Sequence, residues 1–348
     1  MKVLLTGSDG FIGGAVADQL EAAGDEVVRV DLLIPEAHAA GTTPAEGTHR
    51  VDVRDADALA PLLRGVDAVC HQAAMVGAGV TVADLPSYAS HNDLGTAVLL
   101  AAMHAAGVDR LVVASSMVVY GEGRYACTEH GVQVPGPRSR TALDGGDFEN
   151  HCGTCGRPLA WETVDEDTRL DPRSSYAASK VATEHYVAAW ARQAPGAAVA
   201  LRYHNVYGPH MPRDTPYSGV AALFRSALEK GEPPNVFEDG GQMRDFVHVR
   251  DVARANVLAL RQAAAAPSET FSTYNVCSGE PLPIRQVASL VADGLGTGLE
   301  PVVSGRYRLG DVRHIVASPD KARRDLGFTA AVPPDEGLPA FATAPLRA

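Results

Sequence analysis

Apolar positions alternate between two rhythms over the first two hundred residues. Short, nearly unbroken apolar runs at 2–6, 26–31, 67–70, 111–114 and 199–202 read as buried strands. The longer stretches at 11–23, 87–106 and 175–194 read as helices, and Gly24 stops the first of them. Strands alternating with helices predict an α/β fold with a doubly wound parallel sheet. After Tyr203 the rhythm loosens. Pro209, Pro212 and Pro216 mark an ordered loop, 220–230 reads as a helix, and short strands and helices follow. The expected organisation is a sheet domain over 1–205 and a smaller α/β lobe over 206–348, with 240–262 returning to the sheet domain. Periodicity is weak beyond Gly327, so that stretch is expected to be poorly ordered. Residues 121–168 break the alternation. Rich in Gly, Pro, Cys and charge, they read as an insertion.

Gly7, Gly10 and Gly13 fall between the first strand and the first helix, the setting in which a glycine-rich turn cradles a dinucleotide. Missing side chains let the backbone approach a pyrophosphate, and the free N–H groups of the helix N-terminus face it. Asp31 closes the second strand, where a carboxylate accepts hydrogen bonds from a ribose diol and repels a 2′-phosphate. Leu32 and Leu33 follow, with no arginine to welcome that phosphate, so NAD is expected rather than NADP. Phe11, Ile12, Val53 and Ala73 complete the expected cofactor contacts of this Rossmann-type domain. Asp52 is a candidate for the adenine amine or a cap on its own loop.

Tyr176 and Lys180 are one helical turn apart and project from one face. A free tyrosine titrates near 10. A neighbouring ammonium and a positively charged nicotinamide both stabilise the phenolate and let it act as a base. Ser115 and Ser116 end the run at 111–114, at the strand edge where ligands sit in open α/β sheets. A serine there can hydrogen-bond the reacting oxygen. The chemistry expected of such a set is oxidation or reduction at a hydroxyl-bearing carbon.

Composition narrows the classes. A formal net charge of -12 argues against non-specific nucleic-acid binding. No apolar run approaches the ~20 residues of a membrane span. The first strand starts at once, with no room for a signal peptide before it, so a cytoplasmic protein is expected. Five cysteines, an odd number, argue against a disulfide framework and leave metal binding open.

The chain resembles the extended short-chain dehydrogenase/reductase family, in its nucleotide-sugar epimerase and dehydratase branch. Gly7 to Gly13, Asp31, His71 to Ala74, Asn92 with Gly95-Thr96, Ser115 to Gly121, Tyr176 to Lys180, Arg202 to Pro209, Arg244 to Val249 and Arg308 to Asp311 carry the resemblance in order. It implies that Tyr176 is the base, that Lys180 also holds the nicotinamide ribose, and that Ser116 orients the sugar hydroxyl. Asn205, Arg244 and Arg308 are then expected to hold a sugar-nucleotide diphosphate, with Arg313 a weaker candidate; the planar guanidinium fork matches phosphate oxygens. Dehydratases of this branch carry an Asp-Glu pair where Met117 and Val118 stand, and related decarboxylases a glutamate at Val118. Neither side chain transfers protons, so the resemblance implies 4-epimerisation through a 4-keto sugar, with NAD regenerated. The insertion, 216–220 and 307–314 are similar to the bacterial subgroup of dTDP-L-rhamnose 4-epimerase-like proteins. A dTDP-linked 6-deoxyhexose ranks first as substrate and a UDP-hexose or UDP-hexuronate second. The alternatives are a nucleotide-sugar dehydrogenase or ketoreductase, a dehydratase, and a non-enzymatic cofactor sensor. The resemblance also implies a homodimer pairing 88–106 and 175–194 of two copies.

Inside the insertion, Cys127 and His130 form Cys-x2-His and Cys152 and Cys155 form Cys-x2-Cys. Two such knuckles can surround a zinc ion tetrahedrally. His151 is an alternative fourth ligand, and three free thiols in a surface loop are the plain alternative. A closed four-ligand site has a structural role. Cys70 and Cys277 read as packed thiols. His71 and His204 each stand between a structural and a pocket role.

Overall fold

The computed structural model describes residues 1–347 other than 36, 39–41, 78, 80 and 214–217. Pro216 and Tyr217, singled out by the resemblance, lie outside the described residues. Seven parallel strands form the central sheet in the spatial order Thr270–Val276, Ala197–Tyr203, Arg110–Ser116, Ala68–His71, Lys2–Thr6, Glu26–Asp31, His49–Arg50. Successive strands move outward one way from Lys2–Thr6 and the other way from Ala68–His71. The loops at the carboxyl ends of these two strands therefore diverge and leave a crevice. The inner strands are largely apolar because both faces are covered. On one face, helices Phe11–Ala22 and Val249–Ala265 bury Val16, Ala17, Leu20, Val252 and Ala259. On the other, Gly95–Ala106 and Ser175–Gln193 bury Leu99, Met103, Val187 and Trp190. The result is a Rossmann-like α/β fold.

Two sheet strands lack the apolar run that marks the others. His49–Arg50 is short, polar and at one edge. Thr270–Val276 is half polar because it forms the opposite edge, and its first four residues are only partly buried. The helical stretch expected at 87–106 runs from Leu85 and contains a π turn over Ala89–Leu94. Within it the Asn92 amide accepts from Met75 N (2.7 Å) and donates to Met75 O (3.0 Å) and Ser179 Oγ (2.8 Å).

The smaller lobe centres on Asn205–Tyr207, Met243–His248 and Pro281–Pro283. Helices Val220–Glu229, Ile284–Leu295 and Pro334–Phe341 enclose a core of Tyr207, Phe224, Phe246, Val287, Leu338 and Phe341. Within 240–262 the strand Met243–His248 thus belongs to this lobe. The helix after it packs on the main sheet, and Thr270–Val276 then joins that sheet. The stretch beyond Gly327, expected to be poorly ordered, is a helix with a tail. Pro334 starts the helix, and Leu338 and Phe341 dock it on Tyr207 and Phe246. It also packs closely on helix Ile284–Leu295, where Gly294 lies against Pro339, but eight residues are too short a run to show as a period. The inserted segment carries its own antiparallel sheet of Arg124–Cys127, Gly131–Gln133 and Ala160–Glu162, with the short helix Arg140–Asp144. Its core is Tyr125, Cys127, Cys152 and Leu159. Among the described residues no helix is long and apolar enough to cross a membrane.

Candidate active site

The crevice opens into a cavity of about 380 Å³. Gly7, Gly10, Phe11, Ile12, Gly13, Asp31, Asp52, Val53 and Ala73 line it, together with Ser116, Tyr176, Lys180 and Asn205. Asp31 and Ser116 end strands three intervals apart, about 14 Å along the sheet edge. That distance suits an extended dinucleotide between them.

The glycines are required sterically. Gly7 has φ +69°, and a Cβ on it would meet Ala73 N at 2.7 Å. A Cβ on Gly13 would lie 1.8 Å from Gly7 O. The helix N-terminus can therefore seat against the turn only with glycine at both positions. Asp31 accepts from Asp9 N (3.0 Å) and Leu33 N (2.8 Å), with His38 Nε2 at 3.5 Å. Burial pushes its carboxyl up, but the bonds from His38, Leu33 and Asp9 outweigh it and leave the pKa lowered. Two acceptor positions are taken by the backbone, and a carboxylate has further lone pairs to offer a ribose diol. Asp52 lines the cavity and is also gripped by Arg54, Nη2 to Oδ2 2.5 Å. Arg347, in the tail, donates to Asp9 O and meets His38 Nδ1, which places a C-terminal side chain beside this part of the cavity. Its distance in sequence hid it.

Ser174 caps the helix that carries Tyr176 and Lys180, accepting from Ala177 N at 3.2 Å. Lys180 Nζ lies 5.9 Å from the Tyr176 ring centroid and donates to Ala114 O at 2.9 Å. Burial drives its pKa down from 10.5 to about 8, with Glu184 opposing. Ser116 faces the cavity. Ser115 also lines the cavity, but its hydroxyl donates to Glu184 Oε1 (2.5 Å), which also accepts from Arg202 Nε (2.9 Å), and so is tied into a buried ion pair. Met117 lines the cavity and offers no transferable proton.

The two open histidines part company. His71 has both ring nitrogens engaged, Nδ1 with Thr6 Oγ1 (2.7 Å) and Nε2 with Thr96 Oγ1 (3.3 Å). Burial and the nearby Lys180 charge push its pKa down to about 3. It cross-ties the sheet to the helix behind it. His204 is 4 % exposed, lines the cavity, and among the described residues has no hydrogen-bond partner on either ring nitrogen. Burial and then Arg244 hold its pKa down at about 3, so it is neutral. Asn205 Oδ1 is likewise buried without a protein partner.

Arg244 and Arg308 stand outside this cavity. Arg244 donates to the carbonyls of Arg313 (2.9 Å) and Val312 (2.7 Å). Arg308 is exposed, with its guanidinium 5.1 Å from the Phe237 ring, and Arg306 lies 5.4 Å from the same ring. Phe237 was not picked out in the sequence because a lone phenylalanine carries no spacing signal. Arg313 is 2 % exposed and bound by Glu149, Glu238 and Asp239, which leaves it no free donor fork for a phosphate.

Cys127, His130, Cys152 and Cys155 come together, with their ligand atoms all within 4.8 Å of one another. His151 stays outside the group, near Asp147 (3.6 Å). The cysteines are unbonded to one another as thiols, and Cys70 and Cys277 are fully buried. The N–H groups of Glu129 and His130 aim at the Cys127 sulfur, and those of Cys155 and Thr154 at Cys152. They lower both thiol pKa values. This donor set could hold a metal ion.

Known proteins of similar sequence span nearly the whole chain. The dTDP-L-rhamnose 4-epimerase of Burkholderia thailandensis is 34% identical, over 94% of this chain and 90% of its own. The structure of a UDP-glucose 4-epimerase from Thermus thermophilus in complex with NAD is 32% identical with a TM-score of 0.75, covering 98% of both chains. That of the Thermotoga maritima UDP-glucose 4-epimerase with UDP-glucose is 28% identical with a TM-score of 0.78, covering 98% of this chain and 97% of its own. The model of the NAD dependent epimerase/dehydratase family matches residues 3–139 and 152–277, and the break between the two stretches falls inside the insertion. With the glycine cradle, strand-end Ser116 and the Tyr176–Lys180 helix on one cavity, the chain belongs to the NAD dependent epimerase/dehydratase family.

Proposed function

We propose that this protein is an NAD-dependent nucleotide-sugar 4-epimerase. The observation that carries the reading is one cavity joining the dinucleotide cradle to Ser116, Tyr176 and Lys180, with Met117 where a proton-transferring side chain would serve dehydration. The residues present fit NAD. Gly7 and Gly13 leave room that a Cβ would fill, and the anionic Asp31 suits a free ribose diol and repels a 2′-phosphate. Bound NAD supplies a hydride acceptor that returns what it takes. Ser116 hydrogen-bonds the sugar 4-oxygen, and Tyr176 removes its proton and later gives it back. Lys180 keeps positive charge beside the phenol and would hold the nicotinamide ribose of bound NAD. The keto sugar turns over before the hydride returns to its opposite face.

Phe237, with Arg306 and Arg308 beside its ring, offers a flat apolar face next to two cations. That suits a nucleobase and its diphosphate, with Asn205 and Arg244 as the further candidates. The substrate ranked first is a dTDP-linked 6-deoxyhexose, following the relative at 34% identity. A UDP-hexose or UDP-hexuronate ranks second. Two copies pair through the helices Gly95–Ala106 and Ser175–Gln193, near which Leu94 and Tyr186 are exposed.

The cysteine cluster takes a structural zinc ion. Around tetrahedral zinc, sulfurs lie roughly 3.8 Å apart and a nitrogen–sulfur edge is roughly 3.5 Å, from bond lengths of about 2.3 and 2.0 Å. Cys127 and Cys155 sulfurs are 3.7 Å apart, and His130 Nδ1 is 3.5 and 3.6 Å from the Cys127 and Cys152 sulfurs. All four positions are protein ligands, so no coordination site is left for substrate.

The test is incubation in deuterated water, without added cofactor, with dTDP-L-rhamnose, dTDP-glucose, UDP-glucose and UDP-glucuronate, read by proton NMR. A carbon-4 epimer free of deuterium is expected from at least one of them. Deuterium at carbon 3 or 5, or an accumulating keto sugar, would favour dehydratase-like or net redox chemistry.

A further inference from the structure

We infer that the metal-organised insertion is a working part of the nucleotide-sugar site: through Arg138 and Glu149 it grips Glu238 and Arg313, and so holds Phe237 and the arm carrying Arg306 and Arg308 in binding geometry. The inference rests on the nucleotide-sugar reading above. The second knuckle begins at Cys152, and the residues just before it face outward from the metal group. Glu149 Oε1 accepts from Arg313 Nε (3.0 Å) and Nη2 (2.6 Å), and its Oε2 meets His314 Nε2 (3.1 Å). Asn150 donates to Glu122 Oε2 (3.1 Å), which also accepts the Arg313 backbone N–H (3.0 Å). The strand leading into the first knuckle supplies Tyr125, whose hydroxyl accepts from His314 N (3.0 Å). The inserted segment thus holds both residues of the 307–315 arm from two sides, Glu149 bonding Arg313 and His314, Tyr125 bonding His314 and Glu122 bonding Arg313.

From there the contacts reach the proposed nucleotide wall. Arg313 Nη1 donates to Glu238 Oε2 (2.9 Å), while Arg138 of the insertion donates to Glu238 Oε1 (2.8 Å) and to Asp311 O (2.8 Å). Glu238 directly follows Phe237 and has φ +53°, a left-handed conformation that a glutamate keeps only when its surroundings impose it. Its backbone N–H donates to Arg306 O (2.6 Å), joining the aromatic to the arm. Arg138 and Glu238 are 4 % and 2 % exposed in their side chains, where an ion pair is little screened and losing one partner weakens the whole Arg138–Glu238–Arg313 group. None of these groups lines the cofactor cavity. Losing the grip should weaken nucleotide binding and spare NAD retention.

Affinity for dTDP and for UDP is measured by calorimetry on the NAD-loaded protein, with zinc by elemental analysis, NAD by absorbance after denaturation, and the melting temperature. The samples are wild type, Glu149→Gln and Cys152→Ser/Cys155→Ser. Glu149→Gln is expected to keep zinc and NAD yet bind its preferred nucleotide at least tenfold more weakly, and to raise KM with a smaller effect on kcat. The cysteine variant is expected to lose zinc and match or exceed that loss. Affinity within twofold of wild type in Glu149→Gln, or in a zinc-free cysteine variant that keeps NAD, overturns the inference, as does wild-type protein without metal. Wild type that binds neither nucleotide sinks the nucleotide-sugar reading instead.

Discussion

In the proposed mechanism Tyr176 and Lys180 do different work from one helix face, and their substitutions should separate it. Tyr176→Phe removes the proton acceptor and keeps the ring, so kcat should fall by about a hundredfold or more with NAD content and melting temperature unchanged. Full activity in that variant would contradict the proposed base. Lys180 is held at about 8 chiefly by burial. Its ammonium, which steadies the phenolate, is therefore lost as pH rises through about 8. Turnover should decline on the alkaline side from that point, and a profile still climbing at pH 10 would refute the link. The folded chain holds this proton less tightly than the unfolded one, so the same group favours folding increasingly as pH rises from about 8 towards 10.5. Phe237 makes a third case. Removing a stacking face costs about 1–3 kcal/mol per base, so Phe237→Ala should bind dTDP or UDP about tenfold or more weakly, measured by calorimetry.

The turn between Lys2–Thr6 and Phe11–Ala22 was legible because its constraint is local: glycine spacing reports where backbone must approach backbone. Gly13→Ala would push a methyl into Gly7 O. It should cost about 1–3 kcal/mol in urea unfolding and release NAD from purified protein. A variant that keeps both stability and cofactor would show that the helix is not seated as described. The knuckles were legible for the same reason, since ligand spacing along the chain sets which four groups can share an ion. Elements whose place depends on distant partners were not. Thr270–Val276 is an edge strand that mixes polar and apolar residues. Pro334–Phe341 is one short helix docked on Ile284–Leu295 and on Tyr207. Neither pattern distinguishes itself from loop.

The proposed pairing of two copies rests on two helices of the sheet domain. The helices Gly95–Ala106 and Ser175–Gln193 bury one side each, with Tyr186 at 47% exposure and Leu94, next to the first of them, at 52%. Sedimentation should report twice the chain mass, and Tyr186→Glu should shift the protein to monomer by placing a charge in an apolar contact. Wild-type monomer at micromolar concentration would refute the pairing.

By itself the sequence determined the sheet fold, the glycine cradle, Ser116 with Tyr176 and Lys180, and the grouping of Cys127, His130, Cys152 and Cys155. Each of these is written in residue types at short, fixed spacing. Only the tertiary structure decided that His71 is tied off while His204 faces the cavity with both nitrogens open, and that Arg313 is caged by carboxylates. It alone placed Phe237 beside two arginines and set Glu149 against Arg313, 164 residues away. Those roles depend on which groups share a buried space, and long-range packing sets that while the spacing of residues along the chain is silent about it.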